Sequence, residues 1–120
     1  ITSRFEKLNP PPTRHIPILI GGGGPKKTLP LVAKYADIWH SFGEFDTHVE
    51  KSDILAQRCA DLGRSPDEIE RSTDWPGVDK AALYVEQGIT QFTVGIGGPD
   101  YDLAPLVEAI AWRDASAGLA

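Results

Sequence analysis

One cysteine, Cys59, is the only thiol in this chain of 120 residues, so no disulfide can close within it. That scarcity fits a reducing compartment, and a cytoplasmic setting is the expectation. Positive charge is also in short supply: 12 Lys and Arg stand against 17 Asp and Glu, for a net charge of -5. The cations are scattered, whereas a nucleic-acid surface would need them clustered, so nucleic acid is not an expected partner. No apolar run approaches ~18 residues, which rules out a membrane-spanning helix, and residues 1–5 lack the apolar core of a leader. Methionine is absent even at position 1, and the expectation is a piece of a longer chain. No Gly-x-Ser-x-Gly elbow occurs, and no repeat of side chains at a fixed period is visible.

What the chain does have is glycine in one telling place. Ile16-Pro17-Ile18-Leu19-Ile20 runs straight into Gly21-Gly22-Gly23-Gly24, and a helical pattern opens at Pro25-Lys26-Lys27-Thr28. The order predicts a buried parallel strand, a tight turn and a helix N-terminus. Bare backbone N–H groups and the positive end of a helix dipole suit a phosphate there, and glycine lets the anion approach the backbone. A P-loop would need glycine directly before Lys27-Thr28, where Lys26 stands. The dinucleotide pattern started by Gly21 and Gly23 meets the same Lys26 in place of its third glycine. A phosphate cradle and a plain strand-to-helix turn both remain open from local chemistry.

Elsewhere the pattern repeats strand then helix. Residues 1–15, with Asn9-Pro10-Pro11-Pro12-Thr13, read as a stiff lead-in connector, and residues 16–120 as one structural segment. Leu29, Val32, Ala33 and Ala36 share one face of a first helix, followed by a strand at 38–42. A helix over 46–62 should bury Leu55, Cys59 and Leu62, ending at Gly63. Cys59 reads as a core residue, not a nucleophile. A strand at 69–73 precedes a helix marked by Val78, Ala81, Ala82 and Val85. A strand at 90–96 places Phe92, Val94 and Ile96 on one side. The last helix takes Asp102 as cap, Pro105 in its first turn, and Leu103, Leu106, Val107 and Ile110 inward. Four such units in a row predict an α/β fold with parallel strands, as half of a (βα)8 barrel or a small doubly wound sheet. Ligands bind at the C-terminal ends of the strands in both.

His40, Glu44 and His48 would form a metal set only if Gly43 left them on one element, so no metal site is expected. Ser41 and Ser72 show no base partner in the sequence, and the acids over 46–61 and 67–70 read as solvated faces.

The ordered set of short motifs resembles the luciferase-like monooxygenase family. It comprises the strand with its glycine turn, Lys27-Thr28-Leu29 and Ala33-Lys34-Tyr35-Ala36-Asp37-Ile38-Trp39. It continues with Lys51, Leu55, Cys59, Leu62-Gly63-Arg64, Pro66, Glu68-Ile69-Glu70, Gly88-Ile89-Thr90-Gln91-Phe92 and Tyr101-Asp102-Leu103. Family members use a (βα)8 barrel of about 250 residues with a reduced flavin or the deazaflavin coenzyme F-420. The resemblance therefore implies the C-terminal half of such a barrel, with coenzyme F-420 favoured and FMN as the alternative. It places Gly22, Gly23 and Gly24 around the cofactor phosphate, with Thr28 adding a hydroxyl. Lys27 adds a charge there or is a solvated surface lysine. Trp39 and His40 end the second strand beside the pocket, where relatives carry Trp-Asn; Trp39 reads more readily as a core aromatic than as a stacking surface. Residues 72–78 are shorter than in many relatives. Catalytic residues are expected largely in the N-terminal half.

The expected partners are a small-molecule substrate and either a second copy or the missing half, because a half barrel leaves two open strand edges and an apolar inner face. The alternative is a non-catalytic half barrel that binds a phosphorylated ligand or only self-associates.

Overall fold

The computed structural model describes residues 9–117, in which four strands and four α-helices alternate. The strands are β1 (Leu19–Gly21), β2 (Ile38–Ser41), β3 (Glu70–Asp74) and β4 (Ile89–Thr93). The helices are α1 (Thr28–Tyr35), α2 (Phe45–Asp61), α3 (Val78–Glu86) and α4 (Ala104–Ala117). All neighbouring strands pair parallel in the order β1-β2-β3-β4. Sequential order separates the two architectures left open above. Right-handed crossovers between successive neighbours put every helix on the same face, whereas a doubly wound sheet must reverse its order. The chain is an α/β arc of four strand–helix units, the arrangement of half a (βα)8 barrel.

The main apolar core lies between the sheet and helices α1 and α2. Leu29, Val32, Ala33 and Ala36 from α1 and its end meet Leu55 and Cys59 of α2, with Trp39 from β2 and Ile69 just before β3. Burial pushes the Cys59 thiol above its ordinary range, which suits a packing role. Arg64 ties this layer together, donating from Nη1 to the Ala33 carbonyl (2.9 Å) and from Nη2 to that of Ala36 (2.7 Å). It thereby satisfies acceptors at the end of α1 that the helix leaves orphaned. Ser65 and Glu68 close a capping box around the short 3-10 turn Pro66–Glu68 that leads into β3.

Several expectations need correction. The first strand is shorter and is not buried. Ile18 and Leu19 are about half exposed, because β1 is the edge of the sheet and only Ile20 packs toward the helices. Helix α1 opens at Thr28, after a turn over residues 25–27. Leu62 is exposed just past the end of α2. On α3 the buried positions are Ala81 and Tyr84, not Ala82 or Val85, since Tyr84 reaches across to Phe45 and Phe92. Leu103, Val107 and Ile110 are exposed. Helix α4 ends the arc, with no further unit among the described residues to cover its second apolar flank. Asp102 does cap it, accepting from the Ala104 amide at 3.0 Å. Residues 9–15 carry neither helix nor strand, while residues 1–8 of the expected connector lie outside the described residues.

The face away from the helices is only in part the apolar surface expected of a half barrel: Leu19 and Ile38 lie on its β1–β2 side, but the β3–β4 side is polar. Strand alternation and register put Glu70, Ser72 and Asp74 of β3 there, with Gln91 and Thr93 of β4 opposite them. An irregularity in β4 makes this possible. Arg71 pairs with Ile89 but Ser72 with Gln91, so Thr90 is an extra residue. The bulge lets Ile89 and Phe92 both face the helices and brings Thr93 beside Asp74.

Candidate functional site

The glycine turn stands at the C-terminal end of β1, at the ligand-binding end of such a fold. Gly22 continues the ladder, donating from its N–H to the His40 carbonyl at 3.1 Å. Its own carbonyl accepts the Trp39 indole N–H at 2.6 Å, so the turn is pinned from both sides. Gly22 has φ +123, and a Cβ there would meet Thr28 Cγ2 at 3.1 Å. A Cβ on Gly24 would lie 3.1 Å from Thr28 Oγ1, so Thr28 sits directly against the turn. The Gly24 carbonyl takes the Leu29 amide at 2.8 Å. The amides of Gly23, Gly24, Lys26 and Lys27 donate to no described backbone carbonyl and remain open as donors.

Lys27 is exposed at the position preceding α1. A second lysine, absent from the expected set, lies closer. The stem of Lys51, from α2, crosses Gly23 with its Cγ 3.4 Å and its Cε 3.7 Å from a Cβ position there. Helix packing brings it in across 28 residues of sequence, and no local pattern signals it. Glycines 22–24, Thr28 and Lys51 are therefore brought together, and Lys27 borders them.

Trp39 and His40 part company. The Trp39 ring is fully buried on the helix side and stacks on His48 at 5.5 Å between centroids, so it has no free face for a ligand. His48 is itself held between two hydroxyls, with Ser41 Oγ 2.6 Å from Nδ1 and Ser52 Oγ 3.2 Å from Nε2. Burial, with Arg71 adding repulsion, lowers its pKa from 6.5 to about 4. Ser41 thus has a histidine partner that the sequence did not reveal, in a packed and inaccessible place.

His40 faces the other way. Its Nδ1 lies 2.9 Å from Ser72 Oγ, and its Nε2 lies 3.2 Å from Asp74 Oδ1. The Thr93 hydroxyl donates to the same Oδ1 at 2.9 Å. Phe42 packs edge-on over the imidazole with centroids 4.8 Å apart. This four-residue chain draws on three strands, and separations of 32, 34 and 19 residues hide it from sequence reasoning. His40, Glu44 and His48 do not converge, and among the described residues no three His, Cys, Asp or Glu side chains are grouped to hold a metal.

Two cavities flank Asp74 at the C-terminal ends of the strands. One of ≈ 230 Å³ is lined by Glu44, Asp74, Trp75, Lys80 and Tyr84 among others. The other, of ≈ 320 Å³, is lined by Asp74, Trp75, Thr93, Val94, Gly95 and Pro105. A larger hollow of ≈ 680 Å³ touches Asp37, Glu68, Arg71 and Gln87, but it lies where the strands begin. No protein-family model and no curated protein matches the chain.

Proposed function

We propose that this chain is the cofactor-phosphate-holding half of a luciferase-like oxidoreductase, with coenzyme F-420 as the cofactor and FMN as the alternative. The reading rests on the motif resemblance. The observation that carries it is the glycine turn at the end of β1, where open amides of Gly23, Gly24, Lys26 and Lys27 lie beside Thr28 and the stem of Lys51. Donors without partners next to a cation are what an anion needs. The cofactor would supply the hydride or flavin-hydroperoxide chemistry. The chain's own contribution is to hold the phosphate, with Thr28 as a hydroxyl donor and Lys27 and Lys51 as charges. Trp39 acts one step back, fixing the Gly22 carbonyl and so the shape of the turn. The substrate is a small molecule, the setting is cytoplasmic, and the remaining half of the pocket comes from a second body.

A fluorescence titration with coenzyme F-420 and separately with FMN tests this. Saturable binding that is lost in Gly23→Asp supports it, since a fixed carboxylate would repel the phosphate. Equal binding by the variant overturns it.

A second reading, a self-associating half barrel without catalysis, draws on different residues. Ile18 and Leu19 at one sheet edge and Val107 and Ile110 beyond the other are all exposed, and burying them would favour pairing with another copy. Sedimentation separates the two, because this reading requires a concentration-dependent dimer whether or not a cofactor is bound.

A further inference from the structure

The polar chain on the open face of the sheet ends in a carboxylate that only half belongs to the protein. Ser72 is fully buried and the His40 side chain is 9% exposed, while that of Asp74 is 73% exposed. Both donors that reach Asp74, His40 Nε2–H and the Thr93 hydroxyl, converge on Oδ1. No described residue donates to Oδ2. Ser72 completes the arrangement from below, because its O–H can donate to Nδ1 only when His40 carries its proton on Nε2. The buried residues thus orient an exposed acceptor and use up one of its two oxygens.

From this geometry we infer that Asp74 and Thr93 form a binding site for two adjacent hydroxyls of a polyol-type ligand. Asp74 Oδ2 accepts one hydroxyl. Thr93 Oγ1, which spends its proton on Oδ1, keeps lone pairs to accept the other. Oδ2 shares its carboxyl carbon with Oδ1, which lies 2.9 Å from Thr93 Oγ1, so the two free acceptors are near neighbours, as the hydroxyls of a vicinal diol are. Trp75 lines both cavities that meet at Asp74 and gives an apolar wall for the carbon edge of such a chain. A cation is the poorer fit. Glu44 and Lys80, which also line the smaller cavity, offset one another, leaving a single carboxylate where a divalent ion would need six or more oxygens. An ammonium would meet Lys80.

The site stands apart from the phosphate reading, because it uses other residues and takes uncharged ligands. Its dependence on the β4 bulge is a further distinguishing mark. Were Thr90 paired in regular register instead of bulged out, Thr93 would face the helices and the second acceptor would be lost.

The test is a ¹H–¹⁵N NMR titration of the 120-residue chain with xylitol, with 1,3-propanediol and ethylammonium as comparison ligands. The expected result is saturable shifts at the amides of Asp74, Trp75 and Thr93 with xylitol, and weaker ones with 1,3-propanediol. Asp74→Asn keeps the shape and an oxygen for His40 and Thr93 but turns the open acceptor into a donor. It should weaken xylitol about tenfold, and Thr93→Val should weaken it as well, while Thr93→Ser restores binding. Saturation by ethylammonium in preference to xylitol, no response to xylitol, or unchanged affinity in Asp74→Asn would each overturn the proposal. A native-like spectrum of Thr93→Ser keeps the comparison valid if either other variant unfolds.

Discussion

Trp39 and Gly22 are joined by a 2.6 Å hydrogen bond from the indole N–H to the carbonyl that starts the glycine turn. The contact links the core to the candidate site, since the ring that packs among α1 and α2 also sets where the turn's peptide planes lie. Trp39→Phe keeps most of the apolar bulk but leaves the carbonyl without its partner. A loss of about 1–3 kcal/mol in unfolding free energy is expected from the orphaned acceptor and the smaller ring. Urea unfolding checks the stability. Cofactor titration of the variant should show weaker binding at a temperature where it remains folded.

Gly22 itself allows a sharper test. Its φ of +123 is one that a side chain rarely adopts, and the nearest obstacle to a Cβ is Thr28 Cγ2 at 3.1 Å. Gly22→Ala should therefore cost about 1–3 kcal/mol, mainly as backbone strain. Adding Thr28→Ser removes the methyl and should recover only the steric part. If the double variant regained full wild-type stability, the strain argument would be wrong.

Arg64 offers a prediction far from the site. It bridges the Ala33 and Ala36 carbonyls from just past the end of α2, and Arg64→Ala leaves two half-buried acceptors without their partner. A destabilisation of about 2 kcal/mol is expected. Arg64→Lys should recover less than half of it, because an ammonium cannot span two carbonyls as a planar fork does. Chemical denaturation of the three proteins orders them.

The strand–helix alternation was legible because it rests on local signals. The spacing of Leu29, Val32, Ala33 and Ala36 and the glycines at 63 and 88 each mark an element or its end without knowledge of its neighbours. The glycine turn was legible for the same reason. What stayed hidden depends on register. Nothing near His40 says that Ser72 will be its partner, and the bulge at Thr90 that delivers Thr93 to Asp74 has no local marker. The misplaced burial of Val85, Val107 and Ile110 has a different cause. Periodicity tells which residues share a face, but neighbours decide whether that face is covered, and α4 and the outer side of α3 have few.

Acid should weaken the fold through His48. Burial beside Trp39, Ser41 and Ser52, with Arg71 adding to it, lowers its pKa from 6.5 to about 4. Above pH 6.5 the imidazole is neutral in both folded and unfolded chains, and the fold has its full stability. As pH falls from 6.5 toward 4, the unfolded chain takes up a proton that the folded chain refuses. The unfolding free energy then falls by up to about 1.4 kcal/mol per pH unit, or about 3 kcal/mol across the window. Below about pH 4 both states are protonated and this slope ends. Asp37, held below its ordinary 3.8 by the Ile18 amide and His15, acts in a lower range and does not blur the window. His48→Gln can still exchange hydrogen bonds with the two serines but does not titrate. Its stability should be lower than wild type at pH 7 and should change by about 3 kcal/mol less between pH 6.5 and 4. Urea unfolding at half-unit pH steps for both proteins gives that difference directly, and parallel curves would mean that His48 takes up its proton without leaving the fold.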